Sequence, residues 1–187
     1  MSGLARLAAE AGYRVSGTDR DDSPTLAALA RAGVRVEAGH RAEALPPDAE
    51  ALVVSSAIAA DNPELRAARA RGLPVLHRTD LLTELTEGRR LLAVAGAHGK
   101  STTSAMLALA LGRPSAYVGA TIGGGGGTGA VWGEPPFFVA EADESDRSLL
   151  RLRPELAILT NVEHDHHATF RTAAEVEAVF RAFLRRL

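Results

Sequence analysis

One stretch constrains what this chain can fold into: LLAVAGAHGKSTTSAM, residues 91–106. Residues 91–95 form an apolar run without a polar break, the pattern of a strand buried in a parallel sheet. Gly96, Ala97, His98, Gly99, Lys100, Ser101 and Thr102 follow at once, and residues 103–111, rich in Ala, Leu and Met, read as a helix. Strand, glycine loop and helix in that order make a cradle for an anion. The loop amides point inward, the helix N-terminus adds partial positive charge, and Lys100 supplies a full one. Ser101 stands where a hydroxyl can ligate Mg²⁺ held on phosphates. The strict pattern G-x-x-x-x-G-K-[ST] misses by one residue, because its first glycine falls on Val94. A strand-to-helix turn that merely needs two glycines is the alternative. Lys directly before Ser-Thr-Thr favours a nucleotide phosphate.

The 187 residues are 46% hydrophobic, enough for one large domain or two small ones. A formal net charge of −2 gives no electrostatic reason to expect nucleic acid or an anionic membrane as partner. The absence of cysteine removes disulfides and thiolate metal sites and suits a reducing interior. Arg6 and Glu10 interrupt the apolar N-terminus, so it does not read as a secretory signal, and no run of 18 apolar residues is present. A soluble, cytoplasmic protein is the expectation.

Upstream of the loop, helical and strand patterns alternate. Residues 1–11 have helical spacing and close at Gly12; residues 13–17 read as a strand ending at Thr18-Asp19. An acidic residue at the end of the second strand of a Rossmann unit often meets a ribose. The chain opens in a helix, without the strand and G-x-G-x-x-G turn that would precede it, and is read as missing its first βα turn. Ser23-Pro24 starts a helix over 25–32, residues 34–37 read as a strand before Gly39-His40, and residues 51–55 as another ending in Ser55-Ser56. Asp61-Asn62-Pro63 caps a helix to Arg71, residues 74–76 form a strand, and 78–85 a helix. Such alternation describes a parallel sheet with helices on its faces. Residues 86–88 make a boundary, giving units 1–88 and 89–187.

Downstream, residues 115–118 read as a strand entering Gly119 and a run of five glycines at 123–127, either a flexible surface loop or one closing over phosphate or substrate. Residues 137–140 form a buried strand that ends in EADESD, residues 141–146. Four acids in six residues usually mark a solvated turn. At the edge where the phosphate loop opens, however, carboxylates can hold Mg²⁺ against phosphates. Glu141 ranks first because the sheet fixes its position, and Glu144 second. Residues 156–159 read as a strand ending in TNVEHDHH, residues 160–167. Zinc spacings such as H-E-x-x-H are absent, which leaves a surface loop with one useful imidazole, His166 or a neighbour, for a divalent ion. Residues 173–187 form an amphipathic helix with Val176, Val179, Phe180 and Leu184 on one face, and the chain stops without a strand for it to return to. A second truncation is the expectation.

MSGLA, GYRVSGTD, GHRAEAL, VVSSAI with DNPEL, AGAHGKSTT, EADESD and TNVEHDH run in one order along nearly the whole chain. Together they resemble the Mur ligases, the ATP-dependent amide-bond formers of peptidoglycan synthesis. The resemblance implies an α/β fold: a Rossmann-like parallel-sheet N-terminal domain that binds a UDP-sugar, then the start of a P-loop ATPase-type central domain. His98 inside the loop looks like the alanine-adding branch, with UDP-N-acetylmuramate and L-alanine as substrates, or the muropeptide-recycling branch. By resemblance, Gly96, Ala97, His98, Gly99, Lys100, Ser101 and Thr102 wrap the ATP phosphates, with Lys100 on the β and γ groups and Ser101 on Mg²⁺. Glu141 ligates Mg²⁺, and His166, matching the family's D-H, holds a second ion. Asp19, His40, Ser55 and Ser56 line the UDP-sugar side. The family usually has Asn where Gly129 stands and Asp where Ala168 stands. Taken alone, the chain is expected to bind Mg-ATP weakly and to make no amide bond, a nucleotide-binding piece of a ligase.

Overall fold

The computed structural model describes residues 1–119 and 129–187, so the glycine run at 123–127, and Gly127-Thr128 beside Gly129, lie outside the described residues. The chain divides into two compact units, Met1–Leu85 and Thr86–Leu187. Among the described residues no helix is long and apolar enough to cross a membrane.

In the first unit, helices α1 (Ser2–Glu10), α2 (Pro24–Arg31), α3 (Pro63–Ala70) and α4 (Arg78–Leu85) alternate with strands β1 (Ser16–Asp19), β2 (Arg35–Ala38), β3 (Leu52–Val54) and β4 (Val75–His77). Three of the helices end in the same way. Tyr13 N bonds Ala8 O and Gly12 N bonds Ala9 O; Val34–Leu29 with Gly33–Ala30, and Leu73–Ala68 with Gly72–Arg69, repeat the pattern. Each is a Schellman closure, and Gly12, Gly33 and Gly72 take the left-handed φ values of 98°, 84° and 67° that it requires. That closure corrects the expected strand at residues 13–17. Tyr13 is spent on finishing α1, and pairing starts only at Ser16. At the other end, Ser23 Oγ accepts from Leu26 N and Asn62 Oδ1 from Glu64 N and Leu65 N, so each proline sits harmlessly at the first helical position. Leu4, Leu7, Leu26, Leu29, Leu65, Leu82 and Leu85 form the buried faces. The strands pair in parallel as two ladders, β1 with β2 and β3 with β4. The single parallel sheet expected from the alternation is therefore split in this unit.

The second unit holds one five-stranded sheet in the order β7-β6-β8-β5-β9. Its strands are β5 (Arg90–Ala95), β6 (Ser115–Tyr117), β7 (Ala130–Val131), β8 (Phe137–Glu141) and β9 (Leu156–Leu159), with α5 (Lys100–Ala110) and α6 (Ala173–Leu184). All pairings are parallel except β6 with β7. β5 sits between β8 and β9 and is buried from Leu91 to Ala95, which explains its unbroken apolar run. Phe138, Phe170, Phe180 and Phe183 are fully buried in this unit. Burial of each contributes about 1.5–3 kcal/mol relative to exposure. α6 starts where Thr172 Oγ1 accepts from Glu175 N and Glu175 reaches back to Arg171 N. It ends at Leu184, three residues before the expected end at 187, and Arg186 N already turns back to Phe183 O.

Candidate functional site

β5 delivers its chain to the loop at the C-terminal edge of the second unit's sheet, where open α/β sheets place ligands. The helix after it begins at Lys100, earlier than the expected start at residue 103. Gly99 is its N-cap at φ 82°, and Thr103 N to Gly99 O is the first intrahelical bond. The amides of Lys100, Ser101 and Thr102 therefore lie in the first turn, ahead of the ladder, where the helix offers donors to an anion.

Lys100 folds back over the loop. Its Nζ donates to Gly96 O at 2.6 Å, to Ala97 O at 3.3 Å and to both oxygens of Glu144 at 3.0 Å. Glu144 is 2% exposed and also meets His166 Nε2 at 3.2 Å. His166 reaches it from a left-handed backbone, φ 54°, an uncommon conformation for a residue with a Cβ. Contacts of two kinds hold that turn: Thr169 N and Phe170 N bond His166 O, and Thr169 Oγ1 donates to Ser145 O at 2.6 Å. The second of these ties the histidine loop to the acidic loop.

The four acids of EADESD have separated. Asp143 Oδ1 accepts from Ser145 N and Asp146 Oδ1 from Ser148 N, so these two build the turn. Glu144 takes Lys100 and His166. Glu141, last residue of β8, pairs in register with Val94, which puts it on the loop's edge of the sheet. Its Oε1 is buried without a hydrogen-bond partner. Its Oε2 lies 2.8 Å, and Ser101 Oγ 3.6 Å, from where a Cβ on Gly119 would stand, so the missing side chain at Gly119 leaves the two room to face one another. An unpartnered buried carboxylate oxygen beside a hydroxyl, with no competing side chain, fits a hard divalent cation.

His98 is held by its backbone. Its N–H donates to Asn161 Oδ1 at 2.9 Å, and its carbonyl accepts from Thr160 Oγ1 at 2.6 Å and Asn161 Nδ2 at 3.1 Å. The ring stays exposed, 3.7 Å from Glu163. Asp165 carries a carboxyl held below its ordinary range, chiefly by the hydrogen bond from His166 N, with the histidine charges adding to it. His164 bonds Phe170 O and stacks edge-on with His167, and among the described residues no three His, Asp or Glu side chains converge as a metal group.

In the first unit, Asp19 ends β1 and is exposed, while Ser55 and Ser56 follow β3. His40, just beyond β2, joins Thr18 and the buried Glu64 in a hydrogen-bonded triangle. No hydrogen bond links Asp19 or Ser55 to His40 among the described residues.

The sequence matches the family described as "Mur ligase family, catalytic domain" over residues 1–90, a match that stops at the first residue of β5. A UDP-N-acetylmuramate–L-alanine ligase from Streptomyces avermitilis is 48% identical over 190 residues, covering 100% of this chain and 41% of the relative. One of the same description from Kineococcus radiotolerans is 49% identical over 193 residues, again covering 41% of its length. Along its whole length this chain is similar to Mur ligases. Among solved Mur ligases, the UDP-N-acetylmuramate:L-alanyl-gamma-D-glutamyl-meso-diaminopimelate ligase of Neisseria meningitides superposes with a TM-score of 0.90 at 30% identity, over 100% of this chain and 64% of that one. The UDP-N-acetylmuramate-alanine ligase of Thermotoga maritima gives 0.87 at 26%, covering 100% and 44%. The chain thus spans about two fifths of the length of the curated Mur ligases it matches.

Some residues of this candidate site gave no signal of their own in the sequence. Asn161 and Thr160 act on a backbone 62 or 63 positions away, and no spacing rule announces that. Gly119 looks like any glycine until Glu141 and Ser101 stand beside it.

Proposed function

We propose that this chain carries nucleotide-handling parts of an ATP-dependent amide-forming ligase of peptidoglycan synthesis, joining L-alanine to UDP-N-acetylmuramate through an acyl phosphate. The observation that carries it is the Val94–Glu141 register, which sets an unpartnered carboxylate oxygen beside the loop of Lys100 and Ser101. Relatives near 48% identity along the whole chain support the substrate assignment.

In this reading the amides of residues 96–102 and the first turn of α5 take the triphosphate, and Lys100 lies on its β and γ groups. Ser101 and Glu141 hold Mg²⁺, and His166, with Glu144 beside it, a second ion; the bound metal neutralises phosphate charge. Lys100 already has its charge satisfied by Glu144 and two carbonyls, so it is positioned before phosphate arrives. The muramate carboxylate attacks the γ-phosphate and expels ADP, and the alanine amine then displaces phosphate from the acyl carbon and gives up a proton. Two anions must meet in the first step, so the chain's work is electrostatic and positional, and no protein nucleophile is called for. Asp19, His40, Ser55 and Ser56 line the sugar-nucleotide side, in a cytoplasmic protein whose small-molecule partners need neither nucleic acid nor membrane.

The muropeptide-recycling ligase is the second reading, favoured by the 0.90 superposition on the Neisseria enzyme. Calorimetry of the chain with Mg-ATP and, separately, with UDP-N-acetylmuramate tests the class: a ligase piece takes both, and a plain P-loop ATPase takes ATP alone. From this chain alone no phosphate release is expected with either amine; release that requires UDP-N-acetylmuramate together with alanine would overturn that expectation and mark the alanine-adding enzyme, and release that requires a peptide instead would mark the recycling one.

A further inference from the structure

The triangle in the first unit fixes a proton. Thr18 Oγ1 donates to Glu64 Oε1 at 2.5 Å, and His40 Nδ1 lies 2.7 Å from Thr18 Oγ1 and 3.1 Å from Glu64 Oε1. A hydroxyl has one hydrogen, and Thr18 spends it on Glu64. The Glu64 carboxylate, in the first turn of α3, accepts from Thr18 and has no hydrogen to give. The hydrogen on the histidine side of the triangle must therefore be on Nδ1.

We infer that Thr18 and Glu64 hold the neutral His40 imidazole as the Nδ1–H tautomer, so that in this form Nε2 presents a lone pair to a ligand hydroxyl. The inference rests on reading the first unit as the sugar-nucleotide unit. Nε2 has no protein partner among the described residues, and the ring is 27% exposed where Glu64 is 11%. An imidazole in this state accepts a hydrogen from a ribose or hexose hydroxyl. It faces a phosphate oxygen lone pair to lone pair. His40 thus selects for sugar over phosphate, and Thr18 and Glu64 are its positioning residues. Their role depends on chain geometry: Gly39, at φ 84°, turns His40 back from the end of β2 toward β1.

Long-range ¹H–¹⁵N spectra of the 187-residue chain read the tautomer directly. The expected spectrum has a protonated Nδ1 and a bare Nε2 for His40. In Glu64→Ala, Thr18 is free to donate to Nδ1, and the proton moves to Nε2. Calorimetry with UDP, 2′,3′-dideoxy-UDP and UDP-N-acetylmuramate gives the ligand side, with Glu64→Ala about three- to tenfold weaker, the worth of one neutral hydrogen bond. A loss seen with UDP but not with its dideoxy form assigns a ribose hydroxyl. A loss confined to UDP-N-acetylmuramate assigns a hexose hydroxyl. A wild-type spectrum with Nε2–H, or Glu64→Ala binding all three as well as wild type, overturns the inference. Wild type that shows the Nδ1–H form yet binds none of the three overturns the reading of the unit instead.

Discussion

Lys100 and Glu144 meet as a buried ion pair, with Nζ 3.0 Å from each carboxylate oxygen and side-chain exposures of 16% and 2%. Removing one partner strands the other. Lys100→Met should cost about 3 kcal/mol or more, because Glu144 keeps only His166 in a site with little water. Adding Glu144→Gln should recover part of that loss, so the double variant falls well short of the sum. Urea denaturation of the two single variants and the double variant measures it.

Gly96 and Gly99 are both loop glycines, and they should respond very differently to alanine. At Gly96, φ is 129° and a Cβ would sit 2.1 Å from Thr160 Oγ1 and 2.9 Å from Asn161 O. At Gly99, φ is 82° with nothing within 4 Å. Gly99→Ala should cost about 1–2 kcal/mol, the left-handed penalty alone. Gly96→Ala should cost clearly more and disturb the loop, since backbone must move. Thermal melts with amide exchange at residues 96–102 separate the two effects.

Asn161 should matter for binding more than its place in an exposed loop suggests. Its side chain both accepts from and donates to the His98 backbone. Asn161→Ala should cost about 1–3 kcal/mol, two modest hydrogen bonds together. It should also weaken Mg-ATP binding, because the loop loses its preset shape. Denaturation and calorimetry on the same variant check both.

Acid should remove the contribution of the Arg90–Glu155 pair. Arg90 Nε lies 2.9 Å from both oxygens of Glu155, and that hydrogen bond holds the Glu155 carboxyl below its ordinary range. A depressed carboxyl stabilises the fold above its unfolded-state titration, and that stabilisation fades as pH falls through the folded-state one. The stability gap between wild type and Glu155→Gln should therefore be open at neutral pH, close in acid, and shrink with added salt, since both groups are exposed.

Local signals carried much of this fold. The helix at Arg78–Leu85 and the strand at Leu156–Leu159 have the bounds that spacing predicts, and Ser23 and Asn62 mark their helix starts. What spacing could not supply was contact at a distance. The two-residue strand β7 is too short to have a period, and it exists only by pairing with β6. Glu144 outranks Glu141 as Lys100's partner because a turn built by Asp143 and Asp146 swings it inward. The acidic composition of residues 141–146 did not show which acids build the turn, and Asp143 and Asp146 do so by accepting from Ser145 N and Ser148 N. Thr18 and Glu64 stood unremarked beside His40, since 46 residues separate them in the chain.

The most direct measurement follows backbone amide shifts of the chain as Mg-ATP is added, in wild type and in Lys100→Met. The expected result is saturable shifts at residues 96–102 and at Glu141 and Glu144, lost in the variant while its spectrum stays that of a folded chain. Shifts centred elsewhere, or equal binding by the folded variant, would contradict a triphosphate site at this loop.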